Sequence, residues 1–284
     1  FFFLLKPAVS IITPYLNAEA FISKLIENIK LQTFSNWELL LIDDDSSDGG
    51  HLKVELAASL DNRIKSLRSP KERNKLSRIG PWFARNFGLK NAQANLIAFL
   101  DVDDLWHPQK LEFQVAMHQN KEIAVTYSNY FTFDHSSRII NAERIFPSCV
   151  SSQDFLSHNP IPLSCSMLDK SLVGRGFTAT FLEDYCFWID VSKRIEGQGI
   201  RNLNNFLTYY GEHLDNRNKN KFHSLIYSYQ AYRAAGFGMF HSSLCCARWI
   251  VHHSLRLFKE SFIRKSCQRF STIDDHMLHH FEAN

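Results

Sequence analysis

Short apolar runs alternate with helix-period segments from the start of the chain to about residue 118, and this alternation limits the fold more than any other feature. Ala8–Thr13 (AVSIIT), Trp37–Ile42 (WELLLI), Arg63–Arg68 and Leu96–Leu100 read as strands. Between them, Ala18–Leu31 places Phe21, Ile22, Leu25, Ile26 and Ile29 on one helical face. A second helix, capped by Ser46 or Ser47, runs to about Leu60; a third spans Gly80–Ala92 and a fourth Pro108–His118. Strands that are apolar on both faces and separated by helices belong to a parallel sheet covered on both sides. In such sheets ligands bind beyond the carboxyl ends of the strands.

The second half is less regular. Ile123–Phe133, Pro160–Leu168 and Asn204–Tyr210 read as strands, and Glu183 opens a helix to about Ile195. Asp215–Lys221 is a polar loop, and from Phe222 to about Arg269 the pattern is helical. The 284 residues are 45% hydrophobic and 21% charged, enough for one large domain with an appendage. A net charge of +3 is too small to argue for a nucleic-acid partner. Cys149, Cys165, Cys186, Cys245, Cys246 and Cys267 show no metal-finger spacing and read as free thiols of a reducing cytoplasm. Phe1–Leu5 is too short for a secretory signal, and no apolar run is long enough to span a bilayer.

The strand ends carry the chemistry. Leu96–Leu100 stops abruptly at Asp101-Val102-Asp103-Asp104, three carboxylates within four residues. Such crowding favours protonation of some members or capture of a hard divalent cation. Thr13-Pro14-Tyr15-Leu16-Asn17 follows the first strand, with Glu19 close behind, and Asp43-Asp44-Asp45 follows the second. Read alone, each acidic run is equally a helix cap.

Taken in order, VSIITPYLNAEAFI, WELLLIDDDSSDG, GPWFARNFGL, AFLDVDDLWHPQKLEFQ and FLEDYCFWI resemble the family 2 glycosyltransferases, over about residues 8 to 195. The resemblance implies an α/β, GT-A fold: a mostly parallel central sheet flanked by helices, with a C-terminal helical extension. It implies a catalytic domain at 1–215, divided into a nucleotide half (about 8–105) and an acceptor half (about 106–215), followed by the extension at 216–284. The implied activity is inverting transfer of a single sugar from a nucleotide-diphosphate donor to a hydroxyl acceptor, with Mn²⁺ or Mg²⁺ as cofactor. By the same resemblance, Asp101 opens the DxD motif and Asp103 lies nearest ribose and metal, sharing the metal with Asp104. Asp44 matches the aspartate at the nucleotide base, and Thr13, Pro14, Tyr15 and Glu19 match the first nucleotide-contacting loop. Arg85 matches an arginine whose fork suits a donor phosphate. Asp184 is the expected base, with Glu183 orienting it, although an acidic pair also favours a helix N-terminus.

Two departures stand out. Tyr15 directly follows Pro14, where the family usually has one residue between them, and the QxxRW motif of processive synthases is absent: Arg248-Trp249 follows Cys245-Cys246-Ala247. His213 is compatible both with donor phosphates and with a plain surface position. The basic, apolar pattern of residues 222–269 suits packing on the catalytic domain and contact with an anionic membrane. Relatives that build surface polysaccharides on lipid carriers imply a lipid-linked or glycan acceptor and a cytoplasmic location, peripheral to the inner membrane face. Two alternatives remain open. A nucleotidyltransferase usually begins with a Gly-rich basic loop, which Thr13–Glu19 lacks; a non-catalytic nucleotide- or glycan-binding protein would share the fold.

Overall fold

In the computed structural model, residues 6–70, 80–195, 199–212, 221–263 and 273 are described, with backbone alone for 221–223, 253 and 255–263. Phe1–Leu5, His213, residues 215–220, Cys267 and the expected helix beyond 263 lie outside them.

The first half follows the alternation: β1 (Val9–Tyr15), α1 (Glu19–Lys30), β2 (Trp37–Asp43), α2 (Gly50–Leu60), β3 (Ile64–Arg68), α3 (Trp82–Asn91) and β4 (Leu96–Phe99). Then come β5 (Leu105–Trp106), α4 (Lys110–Met117), β6 (Ile123–Asp134), β7 (Ile140–Arg144), β8 (Cys149–Val150) and β9 (Ser166–Asp169). The chain continues through α5 (Glu183–Ser192), β10 (Gly199–Glu212), α6 (Lys221–Ala234) and α7 (Met239–Ile263). One sheet runs in the order β3-β2-β1-β4-β9-β6-β10-β5, with β7 on β6 and β8 on β10. Strands β3, β2, β1 and β4 are mutually parallel, as are β6 and β10; β9 is antiparallel to both β4 and β6. The fold is therefore α/β with a mixed sheet that is wholly parallel over β3, β2, β1 and β4.

β1 and β2 are buried at every position, and two apolar clusters cover the two faces of this half. On one face α3 lies so close that a Cβ at Gly88 would stand 2.7 Å from Ile12 Cγ2, so only glycine admits that approach. On the other, Asn28 of α1 and Gln32 just beyond it turn buried amides toward the chain after β4. Asn28 donates to Trp106 O at 2.8 Å and accepts from Trp106 N at 2.8 Å; Gln32 donates to His107 O at 2.9 Å. These pairs satisfy the backbone of the two-residue strand β5, which the sequence pattern did not reveal.

Three expectations need correction. Neither Ser46 nor Ser47 caps α2: its N-cap is Gly49, and the Asp48 carboxylate accepts from Gly50 N at 3.1 Å. Only the end of Pro160–Leu168 is strand, because Pro160 and Pro162 lack ladder donors and Leu163–Cys165 forms a 3₁₀ turn. The last strand begins at Gly199, before the expected Asn204. Residues of α6 and α7, including Ala231, Tyr232, Cys245 and Cys246, join the same apolar cluster as β1, β4 and α5. Among the described residues, no helix is long and apolar enough to cross a membrane.

Lys110, fully buried on α4, donates to Gln114 Oε1 at 2.5 Å and to Cys165 O at 3.1 Å, with its ammonium 4.7 Å from the Trp106 ring centre. Burial lowers its pKa to about 7. Between that value and the ordinary lysine range, the unfolded chain binds one proton more than the folded one, so stability rises with pH there by up to about 1.4 kcal/mol per pH unit. Urea unfolding across pH 7 to 10 should show this rise in the wild type and lose it in Lys110→Met.

Candidate active site

The carboxyl ends of β1, β2 and β4 open into one pocket of about 600 Å³, lined by Pro14, Tyr15, Leu16, Asp44, Asp45, Gly80, Pro81, Arg85, Asp101, Val102 and Asp103. Pro14, Tyr15, Asp44, Arg85, Asp101 and Asp103 were expected there from sequence. Asp45 adopts φ 74°, a left-handed conformation that aspartate tolerates better than most residues.

Five expected residues are not in that lining: Glu183 and Asp184 at the start of α5, and Thr13, Glu19 and Asp104. Thr13 is fully buried inside β1 and does not line the pocket. Glu19 accepts from Gly49 N at 3.1 Å and pairs with Lys53 at 3.4 Å. Its own amide donates to Asp48 Oδ2 at 2.9 Å, so Glu19 locks α1 to α2 rather than facing the pocket. Asp104 sits behind the lining, with Oδ1 accepting from Gly211 N on β10 at 2.9 Å.

Tyr15 is 2% exposed, and its hydroxyl has no hydrogen-bond partner in the structure. Burial and then the Asp43 carboxylate raise its pKa. The residue works as part of the pocket wall and the core beneath it, not as an exposed stacking ring.

Arg85 holds the site together. It is 4% exposed, and its two terminal nitrogens each lie 2.6 Å from a carboxylate, Nη1 from Glu183 Oε1 and Nη2 from Asp101 Oδ1. The fork expected to meet a donor phosphate is thus occupied by two acids from different halves of the chain. Burial disfavours its charge, but Asp101 and Glu183 more than offset this, so its pKa is raised.

Glu183 and Asp184 open α5 and differ in setting. Glu183 is buried on Arg85, beneath Gly80, which takes φ 68°. Burial raises its pKa to about 7 against the pull of Arg85. Asp184 keeps part of its surface accessible; Asn159 Nδ2 donates to it at 2.8 Å, as does Tyr185 N at 2.8 Å. Burial raises its pKa too. An acid whose pKa is raised by burial and whose surface stays partly accessible is suited to proton transfer.

The acidic turn is set by partners that sequence reasoning missed. Asp101 N donates to Ser164 Oγ at 3.1 Å, and Ser164 O accepts from Trp106 Nε1 at 2.8 Å. Burial, then Asp103 and Asp101, push the Asp104 pKa well up, opposed by Ser164 and the Gly211 amide. Asp104 Oδ2 is buried with no hydrogen-bond partner of good geometry. Among the described residues, no three His, Cys, Asp or Glu side chains form a ready metal cage. An orphaned carboxylate oxygen among crowded acids fits a hard cation that takes few protein ligands and completes its shell with substrate phosphates.

A family model for Glycosyl transferase family 2 matches residues 10–186. The chain belongs to that family and is a glycosyltransferase. The UDP-Glc:alpha-D-GlcNAc-diphosphoundecaprenol beta-1,3-glucosyltransferase WfgD of Escherichia coli is 38% identical over 186 residues, 65% of this chain and 70% of that protein. A second Escherichia coli enzyme of the same description, WfaP, is 29% identical over 86% of this chain and 93% of its own length. Among solved structures, S. aureus TarS 1-349 in complex with UDP superposes with a TM-score of 0.62 at 18% identity, covering 92% of this chain and 75% of that one. The mannosyltransferase PcManGT from Pyrobaculum calidifontis, solved with GDP-Man and Mn2+, gives 0.57 at 16% identity over 87% of this chain and 74% of its own. Both share the GT-A fold.

Replacing Arg85 with methionine leaves Glu183 buried and uncompensated and takes the cation from half-buried Asp101. Stability should fall by about 3–5 kcal/mol at pH 8, and the deficit should shrink at pH 5, where Glu183 is protonated. Urea unfolding at the two pH values checks both parts.

Proposed function

We propose that this glycosyltransferase moves one sugar from a UDP-sugar to a hydroxyl of a lipid-diphosphate-linked sugar, in the assembly of a bacterial surface glycan. The observation that carries the reading is the pocket itself: Asp44 past β2 and Asp101 and Asp103 past β4 line one pocket with the end of β1, and Arg85 links that edge to the Glu183–Asp184 pair. The two Escherichia coli relatives, whose names specify UDP-Glc and a diphosphoundecaprenol-linked GlcNAc, support the donor and acceptor classes.

In this reading residues 8–105 hold the nucleotide and 106–215 the acceptor, with 216–284 as an extension. Asp44 accepts hydrogen bonds from base or ribose, and Pro14 and Tyr15 wall the base. The unpartnered Tyr15 hydroxyl and Asp104 Oδ2 are two groups a bound donor and its cation would satisfy. Asp103 and Asp104 would hold Mn²⁺ or Mg²⁺, which when bound stabilises the departing diphosphate as a Lewis acid. Glu183 stays on Arg85 and fixes the start of α5. Asp184, oriented by Asn159, takes the proton of the attacking hydroxyl.

The extension offers a seat on the membrane that would carry such an acceptor. On α7, Met239, Phe240, Leu244, Ile250 and Val251 are exposed, with exposed Arg233 and Arg248 beside them. Apolar side chains flanked by cations suit the surface of an anionic bilayer.

Asp184→Asn should lower turnover at least about 100-fold while leaving UDP affinity within twofold, read as UDP release and by calorimetry. Asp103→Ala should lose the Mn²⁺-dependent part of UDP binding, and EDTA should have the same effect on the wild type. Normal turnover in Asp184→Asn, or UDP binding indifferent to Mn²⁺, contradicts the roles assigned.

In flotation with vesicles containing phosphatidylglycerol, the wild type should rise with the lipid and the double variant Phe240→Asp, Leu244→Asp should stay below. Equal recovery of the two removes the membrane seat.

A further inference from the structure

The acidic turn has a second neighbourhood, on the side away from the nucleotide. In the sheet order, β2 and β1 lie on one side of β4, and β9, β6 and β10 on the other. Strands β6 and β10 run in the same direction as β4, because β9 is antiparallel to both β4 and β6. Their carboxyl ends therefore face the same edge as Asp101–Asp104. Three aromatic rings gather at that edge. Tyr210 near the end of β10 lies 5.5 Å from Tyr130 of β6, centre to centre and tilted by 44°. Tyr130 in turn lies 5.6 Å from Phe146, tilted by 38°.

This group borders the acidic turn without being part of the donor pocket. Gly211, the residue after Tyr210, donates its amide to Asp104 Oδ1 at 2.9 Å. Burial raises the Tyr210 pKa, and the next contributions come from Asp104, Asp101 and Asp103, so its phenol lies within electrostatic reach of all three. None of the three rings lines the pocket that holds Asp44 and Tyr15.

The fold spends buried polar side chains to keep Phe146 in place. Asn129, 3% exposed, accepts from Phe146 N at 3.0 Å and from Asn202 Nδ2 at 2.9 Å. Asn202 also donates to Phe146 O at 3.0 Å, and the Tyr127 hydroxyl donates to Pro147 O at 2.6 Å. Beside the segment so pinned, Ile145 is 73% and Tyr210 of β10 39% exposed. Packing accounts for Tyr130 and Phe146, which are half-buried, but it leaves the Tyr210 ring partly open to water next to the acidic turn that Gly211 contacts. Rings with an apolar face and, in the tyrosines, a polar tip suit a pyranose, which has apolar C–H faces and a rim of hydroxyls.

We propose that Tyr210, Tyr130 and Phe146 form the seat for the sugar ring of the acceptor. This rests on the transferase reading above and deepens it. The donor occupies the β1–β2 side of the acidic turn and the acceptor sugar the β6–β10 side, so the turn lies between the two reactants. Tyr210 is the member most open to a ligand; Tyr130 and Phe146 fix its tilt.

The test uses a soluble short-chain lipid bearing α-GlcNAc on a diphosphate. It is titrated by calorimetry into full-length protein saturated with UDP and Mn²⁺. Tyr210→Ala should weaken probe binding about fivefold, with UDP affinity within twofold of wild type. Tyr210→Phe keeps the ring and should bind the probe within twofold of wild type. Equal probe affinity in wild type and Tyr210→Ala overturns the seat. Equal losses in the alanine and phenylalanine variants also overturn it, since the hydroxyl rather than the ring face would then carry the contact. Wild-type protein that binds UDP and ignores the probe sinks the seat alone, whereas wild-type protein that binds neither sinks the transferase reading with it.

Discussion

One buried guanidinium joins the two halves of the site. Arg85 rises from α3, reaches Asp101 at the end of β4, and reaches Glu183 at the start of α5, both at 2.6 Å. Its group lies 5.4 Å from the Phe177 ring centre, so apolar surface surrounds the ion cluster as well. Low-dielectric surroundings strengthen such pairs and make an incomplete one costly. The distance between the acidic turn and the ED pair is therefore set by a bidentate cation and not by loop chance. Lysine, a point charge with no fork, could not serve both carboxylates in this way.

That cation does not balance the acids around it. Burial raises the pKa of Asp104, Glu183 and Asp184; Asp103 and Asp101 act on Asp104, and Asp101 acts on both Glu183 and Asp184. Near neutral pH the folded site carries more potential negative charge than it can ionise at once. Asp101, which acts on Asp104, Glu183 and Asp184 alike and pairs with Arg85, ties these titrations together.

The legible portions of the sequence were those in which local pattern and long-range pairing agree. β1, β2 and β4 are buried on both faces, so their composition alone marked them, and the residues just past their ends were correctly expected at the pocket. The role of Arg85 was harder to see. A sequence shows the fork but not which anions reach it first, and the carboxylates lie 16 and 98 residues away. Thr13 and Glu19 were misplaced for a similar reason: proximity in sequence to a pocket residue does not fix which way a side chain points along a strand or at a helix start. Ser164, Asn159 and Gly211 gave no signal, because a serine hydroxyl, an amide and a backbone N–H become site groups only when β9, α5 and β10 bring them to the acids. The Pro160–Pro162 pair was a readable warning against a strand there.

The two sides of the acidic turn are built by different forces, with a consequence for specificity. The donor side is a parallel sheet of apolar strands under helices, where any change of volume is transmitted to neighbouring strands. The rim of the β6–β10 side is held by hydrogen bonds with the backbone of residues 146–148: Asn129 accepts from Phe146 N, Asn202 donates to Phe146 O and Ser148 O, and Tyr127 donates to Pro147 O. Side chains such as Ile145 and Phe146 can change at that rim while the pins, which hold main chain, stay satisfied. Ser164 and Gly211 are the exceptions, since they tie the acceptor half directly to Asp101 and Asp104. With the donor and acceptor seats as proposed, a new acceptor would need changes at only a few exposed residues of one sheet edge, whereas a new nucleotide would need strand ends rebuilt that the core holds fixed.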